Sequence, residues 1–375
     1  MLQVGVIGCG YWGPNLIRNF IQLNESDVRW VADLDEKRLK HMKNLYPTVR
    51  TTTDYKDVLR DPEVDIVAVA TPVRYHYPIA IQSLEAGKHV FVEKPLAASS
   101  FEAIEMIRLA EERDLKLMVG HTFLYTSAVK KMKELVDSGE LGDIYYISAE
   151  RLNLGLFQQD INVLWDLAPH DLSIILHLLG DNPHSVHAIG TWNINPAVED
   201  VAILSMRFGT NQVAFIQASW LDPDKVRRIT VVGSKKMMVF DDVHPSEKIR
   251  IYDKCCEKPK YYDTYSEFPY SYKYGNITIP PLEGSEPLRT ELSHFLNCII
   301  NDEKPLSDGV NGLEVIQILE AADISLHNNS RLVSMDELTG GKLEVWPDDI
   351  RKFRSERNRG AATQPEEVES HKHSG

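Results

Sequence analysis

The sequence predicts two unlike halves in one chain of 375 residues. The first is an α/β unit with a doubly wound parallel sheet. The second is an α+β unit with a large, mainly antiparallel, open-faced sheet. Three observations predict this. Short apolar runs alternate with helical periodicity from the start of the chain. The first run feeds directly into Gly8-Cys9-Gly10-Tyr11-Trp12-Gly13. After about residue 120 the pattern changes to long alternating segments with a period of two.

Val4–Ile7, Val28–Ala32, Ile66–Ala70, Val90–Val92 and Leu117–Val119 are apolar almost throughout. Strands of that kind are buried on both faces, as in a parallel sheet. The helices between them include Glu36–Leu45, Pro78–Ala86, closed by Gly87, and Phe101–Arg113. In the second half, helices are predicted at Ser127–Ser138 and Trp165–Leu179, each followed by a glycine. Ala202–Phe208, Gln212–Trp220 and Arg228–Val232 read as antiparallel strands, the first two joined by Gly209-Thr210-Asn211. Residues 241–285, rich in Tyr, Pro, Lys and Glu, read as a long excursion. Helices near Leu288–Ile300 and Leu313–Leu326 close the fold, and the polar tail 355–375 is expected to be disordered. The expected division is 1–121 and 122–340.

The net charge of −14 argues against a generic nucleic-acid surface. No apolar run is long enough to span a bilayer. Cys9, Cys255, Cys256 and Cys298 have neither disulfide nor metal spacing. A soluble cytoplasmic protein is expected, with no metal and no nucleic-acid or membrane partner.

The order strand, G-x-G-x-x-G, helix is that of a dinucleotide site. Gly8 makes the tight turn, Gly10 lets the backbone approach a pyrophosphate, and Gly13 lets helix and strand pack closely. The pyrophosphate then rests on the helix N-terminus. Asp33, ending the second apolar run, is placed to accept from the adenosine ribose hydroxyls and to repel a 2′-phosphate, which favours NAD over NADP. The other reading of Asp33 is a solvated loop acid beside Asp35 and Glu36. Lys37 and Arg38 follow closely and keep NADP open.

Three further segments carry chemistry. Glu93-Lys94-Pro95 ends a strand, where ligands of open α/β sheets bind; an ammonium there can hold a substrate hydroxyl, or pair with Glu93 at the surface. Trp165-Asp166-Leu167-Ala168-Pro169-His170-Asp171 puts Asp166 and His170 on one helical face, as base and orienter or as helix cap and satisfied core histidine. Pro169 predicts an irregular turn in that helix. Thr71-Pro72, with His76 after it, faces the same crevice, to touch the nicotinamide ribose or to cap a helix.

Together these segments resemble the Gfo/Idh/MocA oxidoreductase family over roughly residues 2–335. The resemblance implies a catalytic group of Lys94, Asp166 and His170, and a cis peptide between Lys94 and Pro95. It implies cofactor contacts from Gly8, Gly10, Tyr11, Trp12, Gly13, Asp33, Thr71, Pro72, His76, Glu93, Lys94 and His121. The chain departs from the family in having Ala168 where a glycine is usual and Ser173 where an acid is usual. Gly120-His121-Thr122-Phe123-Leu124-Tyr125, the Trp165–Asp171 segment and Glu286-Pro287-Leu288-Arg289 look most like the branch that oxidises C3 of UDP-N-acetylglucosamine or its uronic acid, supplying cell-surface polysaccharide synthesis. That likeness implies substrate contacts from Lys94, Tyr125, Arg151, Trp165, Asp166, His170 and Arg289, with Lys273 a further cation for a diphosphate. The rival readings are a free sugar or inositol dehydrogenase and a non-catalytic NAD(P)-binding regulator.

Strand Gln212–Trp220 puts Val213, Phe215 and Gln217 on one face and Gln212, Ala214, Ile216, Ala218 and Trp220 on the other. A sheet apolar on both faces needs cover on both, so a homodimer or homotetramer is expected. The alternative cover is the 241–285 excursion.

Overall fold

The computed structural model describes residues 1–158, 161–209, 211–257 and 271–338. The polar tail and the expected boundary at residue 340 lie outside the described residues.

The first sheet contains β1 (Leu2–Ile7), β2 (Ser26–Ala32), β3 (Arg50–Thr52), β4 (Ile66–Val69), β5 (His89–Glu93) and β6 (Leu117–Gly120). All its pairings are parallel, in the order β3-β2-β1-β4-β5-β6. The chain reverses direction of travel between β1 and β4, which opens a crevice beyond their C-terminal ends. Its helices are α1 (Gly13–Gln22), α2 (Glu36–Leu45), α3 (Lys56–Arg60), α4 (His76–Glu85) and α5 (Ser100–Glu112). Asp35 caps α2 by accepting from the Lys37 N–H, and Ser99 caps α5 by accepting from the Glu102 N–H. The short edge strand β3, Arg50-Thr51-Thr52, has no apolar signature and is not among the expected strands.

The second half begins with α6 (Ser127–Asp137), β7 (Ile144–Leu154), α7 (Val163–Leu179), β8 (Ser185–Thr191), β9 (Val201–Phe208) and β10 (Gln212–Ser219). It continues with β11 (Leu221–Gly233), β12 (Met237–Asp241), β13 (Ile249–Glu257), β14 (Ser271–Thr278), α8 (Pro287–Ile300), α9 (Gly309–His327), β15 (Val333–Ser334) and α10 (Met335–Leu338). The nine strands run β14-β13-β12-β11-β7-β10-β9-β8-β15. Every pairing is antiparallel except β10 with β7.

Two expectations change here. The described residues of the 241–285 excursion include β13 and β14, two strands that lengthen the sheet edgewise. The irregular turn expected at Pro169 is absent, and α7 runs through it. Proline costs the bond to the Trp165 carbonyl. A strong start offsets that: Asn162 Oδ1 accepts from the Leu164 and Trp165 N–H groups at 3.1 and 3.2 Å. Gly180 then ends the helix in the left-handed region at φ 65°. Ala168 and Pro169 are buried between these ends.

Side-chain alternation decides which face of the large sheet is covered. Ala214, Ile216 and Ala218 of β10 are buried against α7, while Val213, Phe215 and Gln217 face outward. One apolar core runs from under α1 through α6 and α7 to the inner face of this sheet. A second core lies beneath α4 and α5 and takes Val310, Leu313 and Ile316 from α9. Helix α9 therefore belongs to both halves, and Trp165 packs against both cores.

Candidate active site

At the N-terminus of α1 the glycines serve as their types suggest. Gly8 has φ +102°, and a Cβ there would come within 2.5 Å of the Ala70 carbonyl oxygen. A Cβ on Gly13 would sit 2.0 Å from the Gly8 oxygen, whereas Gly10 faces open space. Tyr11 and Trp12 stand at the mouth, exposed and packed edge to face, with centroids 5.7 Å apart. Asp33 is pinned: its carboxylate accepts from the Cys9 N–H at 2.6 Å and the Asp35 N–H at 2.8 Å. The Arg38 guanidinium lies 3.6 Å from it. Burial and then Asp33 push the Cys9 thiol up to about 12, so Cys9 stays protonated.

The ends of β4, β5 and β6 bring a second group together. The Lys94–Pro95 peptide is cis. Lys94 Nζ donates to the Asp166 carbonyl oxygen at 2.8 Å and lies 3.9 Å from Asp166 Oδ1. The contact joins the end of β5 to the first turn of α7. Burial pulls the ammonium below its usual range, while Asp166 and Glu93 pull it back up. His170, one turn after Asp166 on the same helical face, packs on Phe123 with centroids 4.9 Å apart. Its Nδ1 is buried without a partner. Burial first, then Lys94 and Arg151, hold it well below the usual histidine range, so the ring is neutral near pH 7. A neutral imidazole beside an ammonium can take a proton from a hydroxyl whose oxygen the ammonium holds.

Thr71 Oγ1, Glu93 Oε1 and both ring nitrogens of His121 are also buried without partners. Burial holds His121 down to about 3 and raises Glu93 to about 7, with Lys94 opposing the latter. Unpaired polar atoms at strand ends, next to the open Gly10 turn, fit a polar cofactor lying across the crevice.

Other residues singled out from sequence have their polar groups engaged within the protein. Both ring nitrogens of His76 are 2.8 Å from a carbonyl, of Pro95 and of Thr71, so it braces two strand-end loops. Pro72 begins the loop that His76 braces. Tyr125 is buried with its hydroxyl on Ser307 Oγ at 2.9 Å. Trp165 Nε1 donates to Asp323 at 2.7 Å. The Arg151 guanidinium is buried and bidentate on Asp171, at 2.6 and 2.9 Å. Arg289 lies away from the crevice, reaching the Gln22 carbonyl at the far end of α1, and Lys273 on β14 pairs with Asp253.

Two residues of the site go unmarked in the sequence. Trp220 Nε1 donates to Asp166 Oδ2 at 3.1 Å and fixes that carboxylate. Glu291 of α8 is fully buried, accepting from Thr122 at 2.6 Å. Burial, with Glu93 adding to it, drives Glu291 well above the usual carboxylate range. Neither has a spacing signal to any motif.

Residues 2–121 match the oxidoreductase family with an NAD-binding Rossmann fold, and residues 129–239 match the GFO/IDH/MocA C-terminal domain. The chain belongs to the Gfo/Idh/MocA oxidoreductase family. It is 25% identical over 350 residues to the myo-inositol 2-dehydrogenase of Thermotoga maritima, covering 90% of this chain and all of that one. It is 26% identical to the UDP-N-acetylglucosamine 3-dehydrogenase of Acidithiobacillus ferrooxidans, covering 84% of this chain and 94% of that one. A solved structure of that enzyme superposes with a TM-score of 0.75 at 24% identity, covering 88% and 99%. GenD2 from gentamicin A biosynthesis, solved in complex with NAD, gives 0.74 at 23% identity, covering 89% and 96%. Membership makes the protein an NAD(P)-binding oxidoreductase, and the relatives it matches include dehydrogenases.

The raised Glu93 has a consequence for stability in this Gfo/Idh/MocA protein. Between its unfolded value near 4.5 and about 7 the folded state holds a proton that the unfolded chain has lost. Stability therefore falls as pH rises through that window. Glu93→Gln removes this loss. Thermal melts of the cofactor-free protein should show the variant gaining on wild type between pH 5 and about 7, with the difference level above that. Parallel melting curves at every pH would contradict it.

Proposed function

We propose that this protein is an NAD-dependent dehydrogenase of a sugar hydroxyl, acting on C3 of a UDP-linked N-acetylamino sugar and giving a 3-keto sugar. The observation that carries the reading is the convergence of Lys94, Asp166 and neutral His170 at the strand ends. His170 accepts the hydroxyl proton. Lys94 holds the same oxygen and stabilises the negative charge that builds there. Asp166, fixed by Trp220, keeps Lys94 in place. A bound nicotinamide would supply the hydride acceptor for the substrate C–H. Gly8, Gly10, Gly13, Tyr11 and Trp12 would hold the pyrophosphate, and Asp33 the adenosine ribose. Thr71, Glu93 and His121 would meet the nicotinamide end.

The UDP-sugar part of the reading is supported by the Acidithiobacillus relative and by the likeness of the Gly120–Tyr125 and Trp165–Asp171 segments to that branch. The Thermotoga relative favours a second reading, an inositol dehydrogenase. A panel of UDP-sugars and inositols with NAD, with a keto-acid acceptor present and mass spectrometry of the sugar, decides between them. A 3-keto UDP-sugar is the expected product. Turnover of myo-inositol with none of any UDP-sugar would sink the first reading.

Lys94→Ala should lower the chemical step roughly two to four powers of ten while NAD affinity stays near wild type. Full activity would remove Lys94 from the mechanism. Asp33→Ala should weaken NAD and narrow its advantage over NADP; tighter binding of NADP than NAD by wild type would refute the assignment.

We also propose that the chain divides near residue 121 into a cofactor half and a substrate half, and that a second copy covers the outer face of the large sheet in the latter. On that face Ile189 pairs with Ile203, 51% and 47% exposed, and Tyr146 stacks on Phe215 at 5.6 Å. Arg250 Nε is buried there without a partner. Light scattering should give a dimer or tetramer; 42.7 kDa, the mass of one chain, would rule this out.

A further inference from the structure

On the inner face of the large sheet, the paired row Ile147–Val231 and Ala149–Ile229 is apolar. The next pair in that row is Arg151 opposite Arg227. Two like charges directly opposed on one face repel. Both guanidiniums lie over the same ring, Phe123, at 4.8 and 6.0 Å from its centroid, and that ring packs on His170.

The two arginines differ in how they are neutralised. Arg151 is 5% exposed and bidentate on Asp171. Arg227 is 36% exposed, and its ion-pair contact is Asp242 Oδ2 at 3.5 Å. The other oxygen of Asp242 is engaged by Lys248 at 3.0 Å. Among the described residues, Asp242 is thus shared between Arg227 and Lys248, whereas Arg151 has Asp171 to itself. A half-buried guanidinium whose one ion pair is long and shared can take a ligand's oxyanion as a closer partner.

The geometry points to an anion subsite at Arg227, which takes a carboxylate or phosphate oxyanion of the substrate next to the carbon that His170 serves. The inference rests on His170 marking the reacting end of the crevice. Arginine is well matched to such a subsite. Its planar fork fits either oxyanion, and its contact with the Phe123 ring, at 6.0 Å, uses none of its donors. Arg151 does not contact the ligand in this scheme. It fixes Phe123 and adds positive potential. The subsite makes an acidic sugar, or the phosphate end of a nucleotide sugar, the preferred substrate class over a neutral polyol.

The test is titration calorimetry of the NAD-loaded protein, wild type, Arg227→Gln and Arg227→Lys. The probes are UDP-N-acetylglucosaminuronate, UDP-N-acetylglucosamine, glucuronate and glucose. Arg227→Gln should weaken the charged probes roughly 10- to 100-fold more than glucose, and Arg227→Lys should recover part of that loss. A loss confined to the two uronates identifies the carboxylate as the anion. An equal loss on both UDP-sugars, with glucuronate unaffected, identifies the diphosphate. Unchanged affinity for every charged probe, a loss no greater than that for glucose, or no binding of any charged probe by wild type overturns the subsite. Because the readout is binding, absence of turnover would count against the dehydrogenase reading without deciding this one.

Discussion

The hydrogen bond from Lys94 Nζ to the Asp166 carbonyl is the constraint on which the rest of the site depends. It ties a strand end of the parallel sheet to the first turn of a helix from the other half. A carbonyl oxygen has two lone pairs, so Asp166 can accept from Lys94 without giving up its place in α7. The side chain of Asp166 is thereby left for Trp220 and for a second, longer approach to Lys94. One lysine therefore senses both halves at once.

Burial then sets the electrical character of the pocket. Lys94, His121 and His170 are all pushed toward their neutral forms by loss of water, and Glu93 and Glu291 toward theirs. The effect on the two histidines exceeds what carboxylates could restore, because Lys94 lowers both of them further. The result is a site whose histidines are neutral and whose positive charge is concentrated on Lys94 and the arginine pair. That distribution suits a reaction in which negative charge builds on one oxygen. It also leaves several polar atoms unpaired, a cost the fold carries where a ligand can meet it.

How much of this is legible in the sequence depends on whether a residue's partner is local. Gly8, Gly10 and Gly13 announce themselves because a turn, an approach and a packing contact occur within six residues. Asp166 and His170 share a helical face by spacing alone. The central parallel strands are legible because burial on both faces leaves few polar residues in them. The remainder depends on register between distant strands. Arg227 meets Arg151 only because β11 lies antiparallel beside β7, 76 positions apart in sequence. Trp220 reads as one more apolar residue of an alternating strand, and its ring nitrogen acquires meaning only beside Asp166. Glu291 looks like a surface acid in an amphipathic helix, yet it is wholly buried. Tyr and Lys in the sheet's outer strands disguise β13 and β14, whose exposed edge tolerates polar residues.

The Glu286–Arg289 segment shows why motif likeness and position must be kept apart. The Glu286 carboxylate accepts from both Arg18 and Asn19, on α1. Arg289 reaches the last turn of the same helix. Asn19 is wholly buried, whereas Arg18 and Glu286 are each 39% exposed, so the cluster is anchored from its buried side. The segment thus fastens α8 along the helix whose other end forms the glycine turn. One turn further on, α8 places Glu291 against Thr122 under the strand ends. Arg289, which the sequence reading assigns to substrate, belongs to a charged cluster that clasps α8 to α1. Helix α8 thus touches both the helix that opens at the glycine turn and, through Glu291, the strand-end loop carrying Thr122.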